Sequence, residues 1–162
     1  MQASGNTAPM PKPVSRLREL GLVLPKSPTP LRAYVEASGT GSLLFLSGML
    51  PVANGKLAIT GRLGENLSVE QGHEAARLAS LNALAAAEEH LGDLDRLKKL
   101  LKLTVLMATT EQFVEHAAVG DGASNLFVQI FGPEAGHVRL VYGVQSLPIG
   151  APVVVEAIFE IE

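Results

Sequence analysis

One strong cation lies inside an apolar, β-branched run. Residues 138–145 read V-R-L-V-Y-G-V-Q, which places Arg139 among Val138, Leu140, Val141, Tyr142 and Val144. A guanidinium in such a strand stays hydrated, is paired, or stands ready for an anion. A second run follows after a turn made by Leu147, Pro148, Ile149 and Gly150. It alternates cleanly, with Val153, Val155, Ala157, Phe159 and Ile161 on one face and Val154, Glu156, Ile158 and Glu160 on the other. Glu156 is a candidate acid/base group, and a candidate salt-bridge partner for Arg139. The histidines are His73, His90, His116 and His137, and none falls in an H-x-H or H-E-x-x-H pattern. With no cysteine to join them, no metal site is expected, and thiolate chemistry is excluded. His137 alternates to the same side as Arg139. Phosphate-cradling glycine loops and a G-x-S-x-G elbow are missing.

The rest of the chain must position that arginine. At 162 residues, with 47% apolar and 18% charged, it is long enough for one domain with a real core. Residues 1–13 read as a loose Gly/Pro/polar tail and 14–162 as a single domain. The net charge of −3 offers no basic footprint for nucleic acid. No apolar run approaches the ~20 residues of a membrane span, and no secretory start precedes the domain, so a cytoplasmic location is the expectation.

Local signals order the elements. Ser15 to Leu20 reads as a short helix ended by Gly21, and prolines 25, 28 and 30 keep the chain extended after it. A hairpin is expected from Ala33–Ala37 and Leu43–Ser47 around S-G-T-G-S, with a third strand over Lys56–Arg62 after Asn54-Gly55. The clearest helix spans Val69 to Leu91, because Ser68 and Gln71 form a capping box and Gly92 is a stop. Its many alanines imply close approach to a sheet. A long strand over Leu100–Thr109 puts Leu101, Leu103, Val105 and Met107 on one face and Lys102, Thr104, Leu106 and Ala108 on the other. A second helix is expected over Gly122–Phe131, with Asp121 as N-cap. The result is an α+β layout with two helices on one face of the sheet. Its other face mixes Leu106, Ala108, Val154 and Ile158 with Lys102, Glu156 and Glu160, a pattern that predicts self-association.

These residues carry a family resemblance. The carriers are A-Y-V-E-A-S-G-T-G-S-L-L-F-L-S-G-M-L-P, the Ala-rich helix, K-L-T-V-L-M-A-T-T-E-Q-F, and above all R-L-V-Y-G-V-Q-S-L-P followed by V-E-A-I. Over about Pro30 to Glu162 the chain resembles the Rid family of reactive-intermediate deaminases, YjgF-like and also labelled endoribonuclease L-PSP. The resemblance implies a chorismate-mutase-like α+β fold. It further implies a homotrimer whose sheets form a central barrel, with three clefts between subunits. The activity it implies is cofactor-free hydrolysis of 2-imino or 2-enamino acids to 2-keto acids and ammonia. It casts Arg139 as the grip on a substrate carboxylate, which suits a guanidinium fork. It assigns the Val141 backbone amide to the bound anion or water, Tyr34 to the cleft wall, and the Ser47 hydroxyl to a water or the imine nitrogen. Glu156 matches the more structural of two family glutamates. The other, proposed to position the hydrolytic water, is replaced by Val154, and the family's asparagine before its D-F pair matches Glu111. Carboxylate binding therefore carries over better than catalysis, and a metabolite-binding protein without turnover is the alternative. The acidic balance and the missing His pair argue against RNA cleavage.

Overall fold

The computed structural model describes residues 10–30 and 33–162. Most of the expected tail, residues 1–9, lies outside the described residues, as do Leu31 and Arg32 of the approach to the first strand. Helix α1 runs Pro13–Glu19, two residues ahead of the expected start. Pro13 sits at its first turn, where a missing N–H costs nothing, and Asp95 Oδ1 accepts the Val14 N–H at 2.9 Å from a distant turn. The cap is thus tertiary, which local reading does not reveal.

A five-stranded sheet follows the order β1-β2-β7-β5-β6, made of β1 Ala37–Thr40, β2 Leu43–Leu46, β5 Leu97–Ala108, β6 Val138–Val144 and β7 Val153–Ile161. All ladders are antiparallel except β5–β6, which is parallel and is connected by helix α3, His116–Phe131. The first hairpin is displaced from its expected position. Ser38, Gly39 and Thr40 belong to β1, and the turn is Gly41–Ser42 with Gly41 at φ +54°. Residues 33–36 precede the strand. The expected third strand shrinks to β4 Lys56–Leu57, paired with β3 Val52–Ala53 across Asn54 (φ 52°) and Gly55 (φ 77°).

Helix α2 spans Val69–Leu91 as its caps predict. Ser68 Oγ accepts from the Gln71 N–H at 3.1 Å, Gln71 Oε1 accepts from the Ser68 N–H at 2.9 Å, and Gly92 closes the helix in the left-handed region. Its alanines are buried against the sheet and α3. The helical face of the sheet carries Leu103, Val105 and Met107 of β5 and Val155, Ala157 and Phe159 of β7. Phe159 meets Phe127 edge-on, with ring centroids 5.7 Å apart, and Phe131 at 6.0 Å.

Two sequence expectations fail here for stated reasons. Register shifts between Leu97/Lys99 and Leu100/Lys102 flip the alternation at the start of β5. Leu100 is therefore buried, and Leu101, expected on the core face, is half-exposed. The second helix begins at His116 instead of Gly122, so Asp121 lies inside it and is no N-cap. G-D-G reads as a helix start because glycine is a poor helix former. The contacts overrule it: a Cβ at Gly122 would lie 2.0 Å from the carbonyl oxygen of His73 in α2, and one at Gly120 would lie 2.7 Å from Val141 Cγ1 in β6. Among the described residues, no helix is long and apolar enough to cross a membrane.

Candidate functional site

Strand β6 is a sheet edge, and its residues alternate between two environments. Arg139, Val141 and Gly143 face α3, in register with Leu103, Val105 and Met107. Val138, Leu140 and Tyr142 face the other way, in register with Lys102, Thr104 and Leu106. Close approach of α3 is permitted by missing side chains. A Cβ at Gly120 would lie 3.5 Å from Arg139 Nη1, and one at Gly143 would lie 2.2 Å from Thr109 Oγ1 and 2.9 Å from His116 Nε2.

Arg139 is paired, with neither Glu156 nor solvent alone as its partner. Its Nη1 donates to Asp121 Oδ1 at 2.7 Å and to Ser124 Oγ at 3.2 Å, both on successive turns of α3. Ser124 Oγ lies 3.0 Å from His137 Nε2 at the approach to the strand. Burial, and then the charge of Arg139, lower the His137 pKa, so the ring is neutral at neutral pH and can accept the Ser124 proton. The Asp121 side chain keeps 51% of its surface exposed and that of Arg139 25%.

The other expected site residues lie elsewhere. Ser47 follows β2, and its hydroxyl donates to the Val35 carbonyl at 2.6 Å while its N–H donates to the Glu36 carbonyl at 2.9 Å. Tyr34 is 46% exposed and borders an open cavity of about 740 Å³ with Glu36, Gly48, Leu50, Asn82 and Ile149. Burial raises the Glu36 pKa. Asn82, buried in α2, holds that wall by donating to the carbonyls of Leu50 and Val52 at 3.1 and 2.9 Å. Glu156 is half-buried on the face away from the helices, in register with Thr104, and among the described residues it makes no ion pair. Val154 shares that face and would be 2.7 Å from a Cβ at Gly48. Glu111 stands exposed in the turn between β5 and α3.

Within one chain the expected site residues fall into two groups. Arg139 and Val141 lie on the β6 edge, whereas Tyr34 and Ser47 flank β1 and β2 at the opposite edge. At ~4.8 Å per ladder, the three ladders from β2 to β6 hold them about 14 Å apart. Arg139 and Glu156 are separated further by facing opposite sides of the sheet. The sequence singled out neither Ser124 nor Glu36, and assigned Asp121 only a capping role. The spacing of Asp121 and Ser124, 18 and 15 residues before Arg139, carries no local periodicity that would have linked them.

The outer face is uncovered. Val138 is 67% exposed, Leu140 51%, Tyr142 41% and Phe45 40%, and Leu106, Val154 and Ile158 lie between them, half-exposed. Four neighbouring strands thus present an open apolar surface that also carries Lys102, Glu156 and Glu160.

A fold with α2 and α3 on one face of this sheet is that of the YjgF/chorismate-mutase-like α+β proteins. The family described as "YjgF/chorismate_mutase-like, putative endoribonuclease" matches residues 14–161, and the chain belongs to this YjgF-like Rid family. It is 39% identical over 160 residues to Protein TCP17 of Trypanosoma cruzi, covering 98% of this chain and 96% of that one. RutC family protein y4sK of Sinorhizobium fredii is 29% identical, over 83% of this chain and 92% of its own. The crystal structure of Atu1372 from Agrobacterium tumefaciens superposes with a TM-score of 0.82 at 39% identity, covering 91% of this chain and 90% of that one. A Shewanella oneidensis MR-1 protein reaches 0.88 at 35% identity, over 93% and 99%.

Proposed function

We propose that copies of this chain assemble as a homotrimer and bind small carboxylate metabolites, 2-imino or 2-keto acids, in the clefts between copies. The supporting observation is that Arg139 and the Tyr34–Ser47 pair sit on opposite edges of one sheet whose outer face is apolar and bare. An edge-to-edge neighbour would bring the Tyr34 wall of one copy against the Arg139 edge of the next. Asp121 already pairs with Arg139 Nη1 at 2.7 Å, so the reading needs the guanidinium donors that Asp121 does not use. Weighing the solution mass is the first test: a trimer of 17.0 kDa chains gives about 51 kDa. Calorimetry with 2-oxobutyrate is the second. A monomer that leaves 2-oxobutyrate unbound would end the proposal.

Turnover is the second reading. In it, Arg139 holds the carboxylate of an imino acid and Ser47 a water. Glu156 protonates the imine nitrogen as that water adds to the carbon; the added oxygen returns one proton to Glu156 and passes the other to the nitrogen, the C–N bond breaks, and the 2-keto acid and ammonia leave. Two observations favour binding without turnover. Val154 occupies the position where the resemblance expects the water-positioning glutamate, and Glu156 faces away from Arg139 within one chain. A coupled amino-acid-oxidase assay separates the two: binding alone leaves imine decay at the buffer rate.

A further inference from the structure

The contacts of Arg139 are distributed unevenly around its guanidinium. Both hydrogen bonds it makes among the described residues leave from Nη1. Nη1 carries two protons, enough to give one each to Asp121 Oδ1 and Ser124 Oγ. That closes the end-on pair of donors, which needs one Nη1 proton. It leaves the side edge, where the Nε–H and one Nη2–H point the same way, as two parallel donors matched to a carboxylate. Ser124 is itself held, by His137 Nε2 at 3.0 Å. The helix that carries Asp121 and Ser124 is pressed onto α2 at Gly122 and onto β6 at Gly120, so its position is fixed by backbone contact.

We infer that Asp121 and Ser124 of α3, with His137 behind them, are positioning residues: they clamp one arm of Arg139 so that its Nε/Nη2 edge is presented to a ligand carboxylate. This rests on the carboxylate-binding reading above. The clamp restricts the rotation of a long side chain before binding, a cost the ligand would otherwise meet. It also fixes how the ligand approaches, along the side of the arginine and not head-on. Asp121 is not a competitor in this arrangement, because a side-on carboxylate leaves the Nη1 bonds intact.

The test uses the full chain titrated with 2-oxobutyrate, read by calorimetry and by the 1H–15N signals of the arginine side chains, with Arg139 assigned through Arg139→Lys. In the wild type, the Arg139 Nε–H resonance should shift downfield as the ligand saturates. Asp121→Ala and Ser124→Ala should each weaken binding about tenfold, the worth of one hydrogen bond to a charged group. Asp121→Asn keeps the Oδ1 acceptor without the charge and should stay within about threefold of wild type. That rescue separates positioning from charge, and the conservative variant also guards against a folding defect in the alanine variants. If Asp121→Ala and Asp121→Asn both tighten binding, Asp121 competes with the ligand and the clamp is wrong. Unchanged affinity in Asp121→Ala and Ser124→Ala overturns it too. A wild-type Arg139 resonance that ignores the ligand overturns the carboxylate reading itself, whatever the variants do.

Discussion

Replacing Gly122 by alanine is the sharpest test of how the site is supported. The added Cβ would sit 2.0 Å from the His73 carbonyl oxygen and 2.8 Å from its carbonyl carbon, both backbone atoms of α2. Ordinary contact begins near 3.4 Å, so α3 must retreat from α2 by roughly 1.4 Å. No rotamer change can relieve a clash with backbone. Overpacking of this kind costs ~1–3 kcal/mol or more, against a helix-propensity gain of ~1 kcal/mol for alanine over glycine. The net expectation is a loss of up to about 2 kcal/mol, read as a lower urea midpoint at unchanged slope. Gly136→Ala is the control, since nothing lies within 4 Å of its built Cβ. It should be neutral or stabilising by up to ~1 kcal/mol. The same retreat would carry Asp121 and Ser124 off Arg139, so affinity for 2-oxobutyrate should fall as well. A Gly122→Ala protein as stable as wild type would show that the helix pair is not seated as described.

Other outcomes follow from single contacts. Ser68→Ala should cost ~1 kcal/mol by opening the capping box of α2. Phe159→Ala, which empties the space between Phe127 and Phe131, should cost ~3–5 kcal/mol in the same urea titration. Leu140→Asp places a charge on the bare outer face and, if the proposed trimer forms, should shift the solution mass from about 51 kDa toward the 17.0 kDa of one chain. His137 is held below its ordinary pKa, so the unfolded chain takes up a proton first as pH falls through about 6.5. Stability should therefore drop as pH falls from there to the folded-state pKa, and His137→Gln should flatten that slope. Glu36 runs the other way. Its raised pKa means stability is lost as pH rises from about 4.3 through the folded value, and Glu36→Gln should stabilise at neutral pH.

What the sequence made legible was local. Both ends of α2 could be read because a capping box and a left-handed glycine are signals within four residues of the chain. The alternation of β7 was equally plain, and its buried face matches residue for residue. Arg139 stood out as a cation in an apolar strand. Where local and tertiary forces disagreed, the reading failed. Gly120 and Gly122 look like a loop until β6 and α2 are found pressed against them. The bulges of β5 shift its buried face through pairing with β7, and no window of β5 alone encodes that. The α1 cap comes from Asp95. The arginine's partners were hidden for the same reason, because Asp121 reaches Arg139 only through the crossover that lays α3 beside β6. That Arg139 and the Tyr34–Ser47 pair lie at opposite edges follows from strand order, which alternation does not specify.

The central claim is that a carboxylate site is completed between copies, from the Arg139 edge of one and the Tyr34 edge of the next. Subunit mixing tests it most directly. Arg139→Ala and Tyr34→Ala proteins should each bind 2-oxobutyrate poorly alone. Co-refolded, they should regain a fraction of full-affinity sites, because some clefts then receive an intact edge from each copy. Mixed assemblies that bind no better than either parent would contradict the account.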